Sequence, residues 1–224
     1  MGTVVEEGGV AVIEPAGIES EFEPGSRGRV SRNKLGIIKV RDIHLAESQM
    51  LLLAQKKAIE TYGPDHRFSA EDIRSLHRSW LGPIYSWAGE YRTVNLGKGG
   101  FQFATAGLIP GLMDKLERQI LAKNTPCREG TTEVVAGSLA TVHAELILIH
   151  PFRDGNGRLA RMLATLMAFQ ARLPALTFSS FEGRGKRPYI AAIHSALGHD
   201  YAPLIAMFAK AIAETRTLAA SRNR

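Results

Sequence analysis

Apolar residues recur at helical spacing along most of this chain from residue 42 onward. Between 42 and 62 they fall at every third or fourth position, and Gly63-Pro64 ends the pattern. A second helix is predicted to begin after Ser69, where Asp72 completes a capping-box arrangement. The same periodicity predicts helices over 109–123, 132–149, 156–172, 187–197 and 202–220. The hydrophobic pattern therefore predicts a mostly α-helical fold.

A different pattern, in which apolar and polar residues alternate, covers Tyr91 to Phe103. Three glycines interrupt it, namely Gly97, Gly99 and Gly100. This arrangement predicts a small β-hairpin with a mobile tip. The edge of such a hairpin can hold an extended segment of another protein as an added strand, with Lys98, Phe101 and Phe103 clamping it. In the alternative interpretation, Phe101 and Phe103 share one face of a short strand and are simply buried.

The first forty residues differ in composition from the rest, because glycine, glutamate, proline and arginine dominate them. Short apolar patches at 10–13 and 37–40 are the exceptions. We therefore expect residues 1–40 to form an irregular N-terminal arm. Residues 41–224 are expected to form one folded domain, since a chain of 224 residues can bury a full core.

Composition narrows the function classes. The 28 Lys and Arg residues exceed the 22 Asp and Glu residues, which gives a formal net charge of +6. These basic residues form no continuous stripe, so nucleic acid is not an expected partner. The single cysteine, Cys127, excludes an internal disulfide framework and fits a reducing compartment. No secretory signal opens the chain and no apolar run approaches the ~20 residues that span a bilayer, so we expect a cytoplasmic protein with no membrane partner.

The densest concentration of chemistry lies between residues 150 and 161, which read H-P-F-R-D-G-N-G-R-L-A-R. Gly155 and Gly157 let backbone N–H groups approach an anion closely. The N-terminus of the following helix adds unpaired donors and a positive dipole end. Arg158 and Arg161, three residues apart, share one face of that helix. The loop therefore predicts a binding site for the phosphates of a nucleotide.

Two further side chains of the loop supply chemistry beyond anion binding. His150 follows an apolar helix and precedes Pro151, so the helix must end there and leave the imidazole beside the anion site. His150 is the one loop residue that exchanges a proton near neutral pH. Asp154 can hold a hard cation such as Mg²⁺, which prefers carboxylate and phosphate oxygens. His143, two turns earlier on the same helix face, is expected to be structural.

Several of these residues also have structural interpretations. Phe152 is expected to anchor the loop in the core. Asp154 can cap the helix that begins near Asn156, and Asn156 itself is a common turn residue. Arg158 and Arg161 can form surface ion pairs of small energetic value. These roles are compatible with phosphate binding, and the residue pattern alone leaves them open.

This loop resembles the signature of the Fic family, usually written H-P-F-x-[DE]-G-N-G-R-x-x-R, and every specified position is present. Three further stretches also resemble Fic elements: 86–93, 97–103 and 188–204. The resemblance covers roughly residues 41–218 and implies a Fic domain, a helical bundle with a small β-hairpin flap that docks the target protein. The flap residues expected to dock the target are Lys98, Gly99, Gly100, Phe101 and Phe103.

The resemblance also implies an activity, the transfer of AMP from ATP to a Ser, Thr or Tyr hydroxyl of a target protein. His150 would be the general base, and Asp154 would hold Mg²⁺ between the α- and β-phosphates. The backbone at Gly155, Asn156 and Gly157 would form the anion hole. Arg158 would contact the β-phosphate and Arg161 the γ-phosphate. Candidates for the wall around the base are Asn95, Tyr189 and the run 184–187.

Other functions stay open at this point. The same site could remove AMP from a modified protein or transfer another nucleoside monophosphate. A non-enzymatic helical module that binds a partner is a further alternative. Phosphorylation is disfavoured, because the Doc-type kinases have a lysine where Gly157 stands.

Many Fic proteins are restrained by a helix of pattern [ST]-x-x-x-E-[GN], whose glutamate pairs with the second arginine of the loop, here Arg161. One match in this sequence is Thr3-Val4-Val5-Glu6-Glu7-Gly8. Two adjacent β-branched valines and a Gly-Gly pair disfavour a helix there. We therefore expect no inhibitory helix of its own. The chain would be the toxin of a toxin–antitoxin pair, held inactive by a small antitoxin-like protein.

Overall fold

The computed structural model describes residues 5–7, 10–12 and 21–222, and most of these are helical. Within them the α-helices are α1 (Val40–Thr61), α2 (Ala70–Leu81), α3 (Ile109–Lys115), α4 (Ala122–Asn124), α5 (Thr132–Ile149), α6 (Asn156–Gln170), α7 (Lys186–Ser195) and α8 (Ala202–Arg222). The mostly α-helical fold class is thereby confirmed, and each helix predicted from the apolar periodicity is present.

One predicted helix differs in its internal hydrogen bonding. Periodicity predicted a single helix over 109–123, and the structure shows α3, a π-helical segment Leu116–Leu121 and then α4. A π-helical turn widens the hydrogen-bonded ring by one residue while the chain stays helical, so an apolar pattern read at 3.6 residues per turn cannot distinguish it. Similarly, α7 ends at Ser195, and a 3₁₀ turn at Ala196–Gly198 completes the predicted segment.

The strands form one small antiparallel sheet. They are β1 (Val5–Glu7), β2 (Val10–Val12), β3 (Leu96–Lys98) and β4 (Phe101–Gln102), and their spatial order is β1-β2-β3-β4. The predicted hairpin is confirmed as β3 and β4, over a shorter range than the alternation suggested. The arm at residues 1–40 was predicted to be irregular, but β1 and β2 belong to this sheet. Valine has high β propensity, and pairing with a distant strand is invisible to local composition.

The described chain divides into two compact units. The first comprises the residues up to Ala58, Ala70–Asp114 and Ile149–Asn156, and the second comprises Ile59–Ser69, Lys115–Leu148 and the residues from Gly157 onward. The first unit contains the sheet and the loop that begins at His150. The second contains most of α5 and α6. The division into an arm and a domain at residue 40 stays a prediction from composition.

In the first unit, a buried carboxylate joins α1 to the end of α2 and the loop after it. Glu47 of α1 is buried, and its carboxylate accepts a hydrogen bond of 2.7 Å from the Tyr85 hydroxyl. The indole Nε1 of Trp80 donates to the Glu47 carbonyl at 2.8 Å. These bonds give partners to the Tyr85 hydroxyl, the Trp80 indole N–H and one carboxylate oxygen of Glu47, which lowers the cost of burying them. They also fix the Trp80 ring, on which the functional loop rests.

In the second unit, α5 is the most apolar helix. It is long and apolar enough to cross a membrane by length and composition alone, and it is the one described helix of which this is true. More than half of it is buried inside the protein, which is the pattern of a core helix. Its apolar sequence is therefore explained by packing.

Candidate active site

The end of α5 places His150. The helix stops at Ile149, and His150 has a φ of +52°, in the left-handed region. A left-handed residue commonly terminates a helix, but it is usually glycine, because a side chain makes this conformation unfavourable. Pro151 follows and cannot continue the helix. The turn carries the imidazole out of the helical path, as the sequence predicted.

A buried arginine holds this turn in place. Arg92 is 2% exposed, and its Nε donates to the His150 carbonyl at 2.7 Å. The Arg92 backbone N–H donates to the Pro151 carbonyl at 2.9 Å. Its remaining guanidinium hydrogen bonds go to three further carbonyls, those of Val94, Ala104 and Ile149. A cation at a helix C-terminus satisfies exposed carbonyls and interacts favourably with the helix dipole. Arg92 thereby joins the turn at His150 to the two ends of the flap.

The flap contacts His150 directly. The ring of Phe103 stacks on the imidazole, with 3.7 Å between ring centroids and 14° between planes. Phe103 also packs against the buried pair Val94 and Leu96. The packing of Phe103 agrees with the interpretation that it is simply buried, its contact with His150 was not predicted, and its role in clamping a target stays a prediction.

The tip of the flap has the geometry of a tight two-residue turn. Gly99 and Gly100 both have positive φ, of 56° and 81°, between the paired residues Lys98 and Phe101. Positive φ at both central positions defines the type I′ turn that suits a hairpin. Phe101 lies edge-on to Phe103, with 5.4 Å between ring centroids. Lys98 and both glycines are exposed, whereas Phe101 and Phe103 are half-buried.

The loop after His150 is closed by Asn156. Its side chain is buried; Oδ1 accepts a hydrogen bond from the Phe152 N–H at 2.9 Å, and Nδ2 donates to the Phe152 carbonyl at 2.8 Å. Asn156 is also the first residue of α6. Because its side-chain amide is used within the loop, a role of Asn156 in an anion hole would fall to its backbone N–H, and this role stays a prediction.

Gly155 fits a position that no other residue could take without strain. Its φ is +82°, and a Cβ there would lie 2.8 Å from Cζ3 of Trp80 and 3.2 Å from Cδ1 of Leu81. Gly157 is different, since the nearest atom to an added Cβ is Nη1 of Arg161 at 4.0 Å. The two glycines of the motif thus have different roles: Gly155 lets the loop approach α2, and Gly157 leaves open space near the start of α6.

His77 of α2 holds the loop through a hydrogen bond to its backbone. Its Nε2 donates to the Asp154 carbonyl at 3.0 Å, and its Nδ1 accepts from the Gly89 N–H at 2.8 Å. These partners fix the tautomer, because a carbonyl can only accept and an N–H can only donate. The ring stacks on Phe152, with centroids 3.9 Å apart. Phe152 is fully buried there, as the sequence predicted.

Asp154 is the carboxylate of the loop and is exposed. Its Oδ1 accepts a hydrogen bond from the Gly155 N–H at 2.6 Å. In the part of the chain that the structure describes, no group of three or more His, Cys, Asp or Glu residues could enclose a metal ion. Nucleotide sites commonly hold Mg²⁺ by one carboxylate together with the substrate phosphates, and Asp154 is a single exposed carboxylate, so Mg²⁺ at Asp154 stays a prediction.

In the second unit, the helix face of the two motif arginines is partly paired. Arg158 and Arg161 are both partly exposed on α6. Nη2 of Arg161 lies 3.4 Å from Oε1 of Glu182, a residue that sequence reasoning did not single out. Arg161 is thus already positioned by a carboxylate, which an incoming phosphate could replace.

His143 is a buried structural residue of the second unit. Its Nε2 is 2.8 Å from the Tyr189 hydroxyl. Three aromatic rings surround it edge-on, those of Phe181, Tyr189 and Phe208. Burial lowers the pKa of His143 from 6.5 to about 3, and the charge of Arg161 acts in the same direction against a hydrogen bond to the Ala160 backbone. His143 is therefore neutral across the physiological range.

Two of the residues suggested for the wall around the base, Asn95 and Tyr189, form hydrogen bonds with residues outside the loop. Oδ1 of Asn95 accepts from the Ala106 N–H at 2.9 Å, which fixes the return of the flap. The Tyr189 hydroxyl is engaged with His143, and burial raises the pKa of its phenol against the opposing charge of Arg161. Arg184, Lys186 and Arg187 are exposed. A role in base binding stays a prediction for these positions.

Sequence reasoning missed the two residues that position the loop. Arg92 and His77 were given no role, yet both are buried and hydrogen-bonded to the backbone around His150 and Asp154. Arginine is rarely buried, so composition gives no reason to expect it here. His77 does lie on the apolar face of α2 beside Ile73, Leu76 and Trp80, and that pattern indicates burial but not the partner.

The described chain is mostly helical and carries a small β-hairpin flap that contacts the loop beginning at His150. The profile of the Fic/DOC family matches residues 67–168, which include the loop and the flap. A Sinorhizobium fredii protein named "Probable protein adenylyltransferase y4lH" is 30% identical over 183 residues, or 82% of this chain and 90% of that protein. The chain belongs to the Fic/DOC family.

Two further comparisons agree. A Salmonella typhimurium protein named "Probable protein adenylyltransferase Fic" is 28% identical over 191 residues, covering 84% of this chain and 90% of that protein. The crystal structure of BepC from Bartonella tribocorum with bound AMPPNP superposes with a TM-score of 0.69 at 21% identity, covering 88% of this chain and 98% of that chain. At that identity the structural match establishes the Fic fold, which confirms the predicted helical bundle with a β-hairpin flap.

Proposed function

We propose that this protein is a protein adenylyltransferase that transfers AMP from ATP to a side-chain hydroxyl of a target protein. The relatives matched over most of their length are named for this activity. The observation that carries the proposal is the geometry of His150, which Arg92 and Phe103 hold at the start of a loop leading into a helix N-terminus. A proton acceptor beside an anion site is the minimum that phosphoryl transfer to a hydroxyl requires.

The proposed step begins with the target hydroxyl hydrogen-bonded to the imidazole edge of His150. As the hydroxyl oxygen forms a bond to the α-phosphorus, His150 takes its proton, and the bond from the α-phosphorus to the bridging oxygen breaks. Pyrophosphate leaves with that electron pair, and AMP stays on the target. Backbone N–H groups at Gly155, Asn156 and Gly157 would stabilise negative charge on the phosphates, with the Gly155 N–H exchanging its bond to Asp154 for a phosphate oxygen.

The remaining charge is assigned to cations. Arg158 would contact the β-phosphate and Arg161 the γ-phosphate, with Arg161 exchanging Glu182 for the nucleotide. Asp154 would hold Mg²⁺ together with phosphate oxygens, and Mg²⁺ bound there would neutralise part of the triphosphate charge. Guanidinium groups suit this task because their planar donors match phosphate oxygens in pairs.

The flap would hold the target. An extended segment that pairs with a flap strand gains main-chain hydrogen bonds without a strict sequence requirement. The exposed tip and the side chains of Lys98 and Phe101 would then clamp the residue to be modified. This arrangement keeps a hydroxyl near His150, because Phe103 at the end of β4 already touches the imidazole.

The proposal extends to setting and control. ATP as substrate and one reduced cysteine suit the cytoplasm. An enzyme of this kind harms its own cell unless it is restrained, so we place it as the toxin of a toxin–antitoxin pair with a small inhibitor in trans.

The activity is tested by the position of the label. Incubation of the protein with a soluble cell extract and α-³²P ATP should label protein, and γ-³²P ATP should not, since AMP carries only the α-phosphate. A mass increase of one AMP on the labelled peptide, located by mass spectrometry, identifies the residue. Label from γ-³²P ATP would indicate a kinase, and no label from either nucleotide would contradict AMP transfer.

A further inference from the structure

A single buried guanidinium connects the flap to the turn that carries His150. Nε of Arg92 donates to the His150 carbonyl at 2.7 Å, and Nη1 donates to the Val94 carbonyl at 2.6 Å, just before β3. Nη2 donates to the carbonyl of Ala104, which follows β4 and Phe103. Because a guanidinium is planar and rigid, its donors hold these three carbonyls in a fixed arrangement.

Arg92 also bonds to three consecutive carbonyls of the turn. Nη2 donates to the Ile149 carbonyl at 3.3 Å, Nε to that of His150, and the backbone N–H to that of Pro151 at 2.9 Å. Each peptide group is planar, so the peptide groups before and after His150 together define its φ and ψ. Arg92 therefore fixes the direction in which the His150 side chain leaves the backbone, at a φ of +52° that a non-glycine residue does not favour.

The ring that covers the imidazole depends on the same arginine. Phe103 stacks on His150 with 3.7 Å between ring centroids, and its backbone N–H donates to the Leu96 carbonyl at 3.1 Å. The next residue along the chain is Ala104, whose carbonyl accepts from Arg92. Hydrogen bonds on both sides of the Phe103 Cα restrict its backbone, so Arg92 contributes to the position of both stacked rings.

These bonds require the shape of an arginine side chain. Nε and the two Nη atoms donate in different directions of one plane, whereas all donors of a lysine diverge from a single nitrogen. Arg92 is 2% exposed, so water does not readily replace a lost hydrogen bond. Arg92→Lys keeps the positive charge and loses the spacing of the donors. This substitution therefore separates the effect of geometry from that of charge.

We propose that Arg92 is the positioning residue of the general base: it fixes the orientation of the His150 imidazole and thereby sets the rate of AMP transfer, while nucleotide binding does not depend on it. Its effect reaches the reaction through the backbone of the turn and through Phe103. This proposal rests on the proposed function for the role of His150 as the base. The orientation of the imidazole is a property of the protein alone and is tested without substrates.

The orientation is tested by NMR of the histidine ring protons, without nucleotide or target. An aromatic ring stacked face to face shifts the ring protons of its neighbour upfield, so the His150 signals should lie upfield of those of exposed histidines. Comparison with His150→Ala assigns them among the seven histidines. We expect Arg92→Lys to reduce this upfield shift by about half or more, because the two rings no longer stay stacked.

Arg74→Lys is the matched control. Arg74 is an arginine of the same compact unit, its Nε donates to the Gly89 carbonyl at 2.9 Å, and its Nη groups bond to Glu71 and Glu90. These partners lie outside the turn, so the His150 signals should stay at their wild-type positions in this variant. Wild-type His150 signals in folded Arg92→Lys would overturn the proposal even if AMP transfer is confirmed.

The effect on the reaction is tested by initial rates of protein labelling from α-³²P ATP at varied ATP concentration. Misplacement of a reacting group by about 1 Å can lower a rate by ~100-fold. We therefore expect Arg92→Lys to lower kcat by about 10–100-fold and to leave KM for ATP within about two-fold. Arg74→Lys should keep both constants. An unchanged kcat, or a KM that rises in its place, would overturn the proposal.

A folding defect and failure of the proposed function give different results. Urea unfolding shows whether Arg92→Lys folds, and if it does not, Arg92→Gln takes its place, because a planar amide keeps two N–H donors. Failure of both variants to fold would make Arg92 a residue of general stability and overturn the proposal. If the wild-type protein labels nothing, the proposed function fails, while the His150 ring signals still decide whether Arg92 orients the imidazole.

Discussion

His150 has a left-handed backbone conformation that costs a non-glycine residue about 1 kcal/mol or more, and its neighbours maintain it. Arg92 holds its carbonyl, Pro151 prevents any return to the helix, and Phe103 covers its ring. Backbone strain at a single residue is common at functional sites, where the side chain must be held in one orientation.

Replacement of His150 by alanine should remove the general base while leaving nucleotide binding. General base catalysis contributes about 10²–10⁴-fold, so we expect AMP transfer to fall by at least ~100-fold. Initial rates with α-³²P ATP measure it, and binding of a non-hydrolysable ATP analogue checks the site. His44→Ala, on the exposed side of α1, is the control. Retention of more than about a tenth of the rate would rule out His150 as the base.

Asp154 allows a sharper substitution than alanine. Asp154→Asn keeps an oxygen that can accept the Gly155 N–H but removes the negative charge. If the carboxylate binds Mg²⁺, the Mg²⁺ concentration for half-maximal AMP transfer should rise about ten-fold, because the ion loses a charged ligand. A Mg²⁺ titration of both proteins at saturating ATP measures the shift. An unchanged titration would leave Asp154 with only its role in the turn.

His143 makes stability depend on pH. The folded protein holds its pKa near 3 and the unfolded chain near 6.5, so between these values the unfolded chain binds an extra proton. Stability is therefore complete above pH 6.5 and falls as the pH drops, by up to about 1.4 kcal/mol per unit. Urea unfolding at pH 7, 6 and 5 should show a smaller loss in His143→Gln, which can still bond to the Tyr189 hydroxyl. His44→Gln should behave like the wild type, and an equal loss in all three proteins would refute this origin.

At the scale of elements, the turn from the loop into α6 depends on one glycine more than on the other. Gly155→Ala combines a positive φ with a Cβ 2.8 Å from the Trp80 ring, so we expect a loss of about 1–3 kcal/mol or more in the free energy of unfolding. Gly157→Ala meets no atom closer than 4.0 Å and should fold normally. Urea unfolding of the two variants gives a direct comparison. Equal stability would mean that the loop can move away from α2 at no cost.

The sequence predicts elements well where the determinant is local. Helix periodicity located α5 and α6, and Pro151 marked the end of α5 at Ile149. The glycines of the flap predicted its turn. Gly99 and Gly100 both have the positive φ that this turn requires. What escaped prediction depends on residues distant in sequence: β2 on β3, and Arg92 at the end of α5. Neither contact produces a periodic sequence pattern, because each is made to backbone groups, which every residue type carries.

At the scale of the whole molecule, two acidic residues are relevant to control of the activity: Glu7 of the inhibitory pattern and Glu182 beside Arg161. The inhibitory pattern Thr3–Gly8 lies partly outside the described residues, and its described part, Val5–Glu7, is strand β1 and not a helix. Arg161 does pair with Glu182, but Glu182 is 65% exposed and the atoms are 3.4 Å apart. An exposed pair of this kind contributes about 0–1 kcal/mol, so ATP could displace it at a small cost. The pair with Glu182 is therefore too weak to act as a strong internal restraint.

Restraint in trans therefore predicts that the purified chain is already active. Glu7→Gln, which keeps the length of the side chain, and Glu182→Gln should each raise AMP transfer by less than about five-fold, the equivalent of ~1 kcal/mol.

Expression of the chain without an inhibitor should slow growth, and His150→Ala should restore normal growth, because toxicity would require transfer and not binding. Growth curves of the two strains at matched protein levels check this. A rise above ten-fold from either glutamate substitution in the purified protein, or growth inhibition that persists in His150→Ala, would contradict control by a separate antitoxin-like protein.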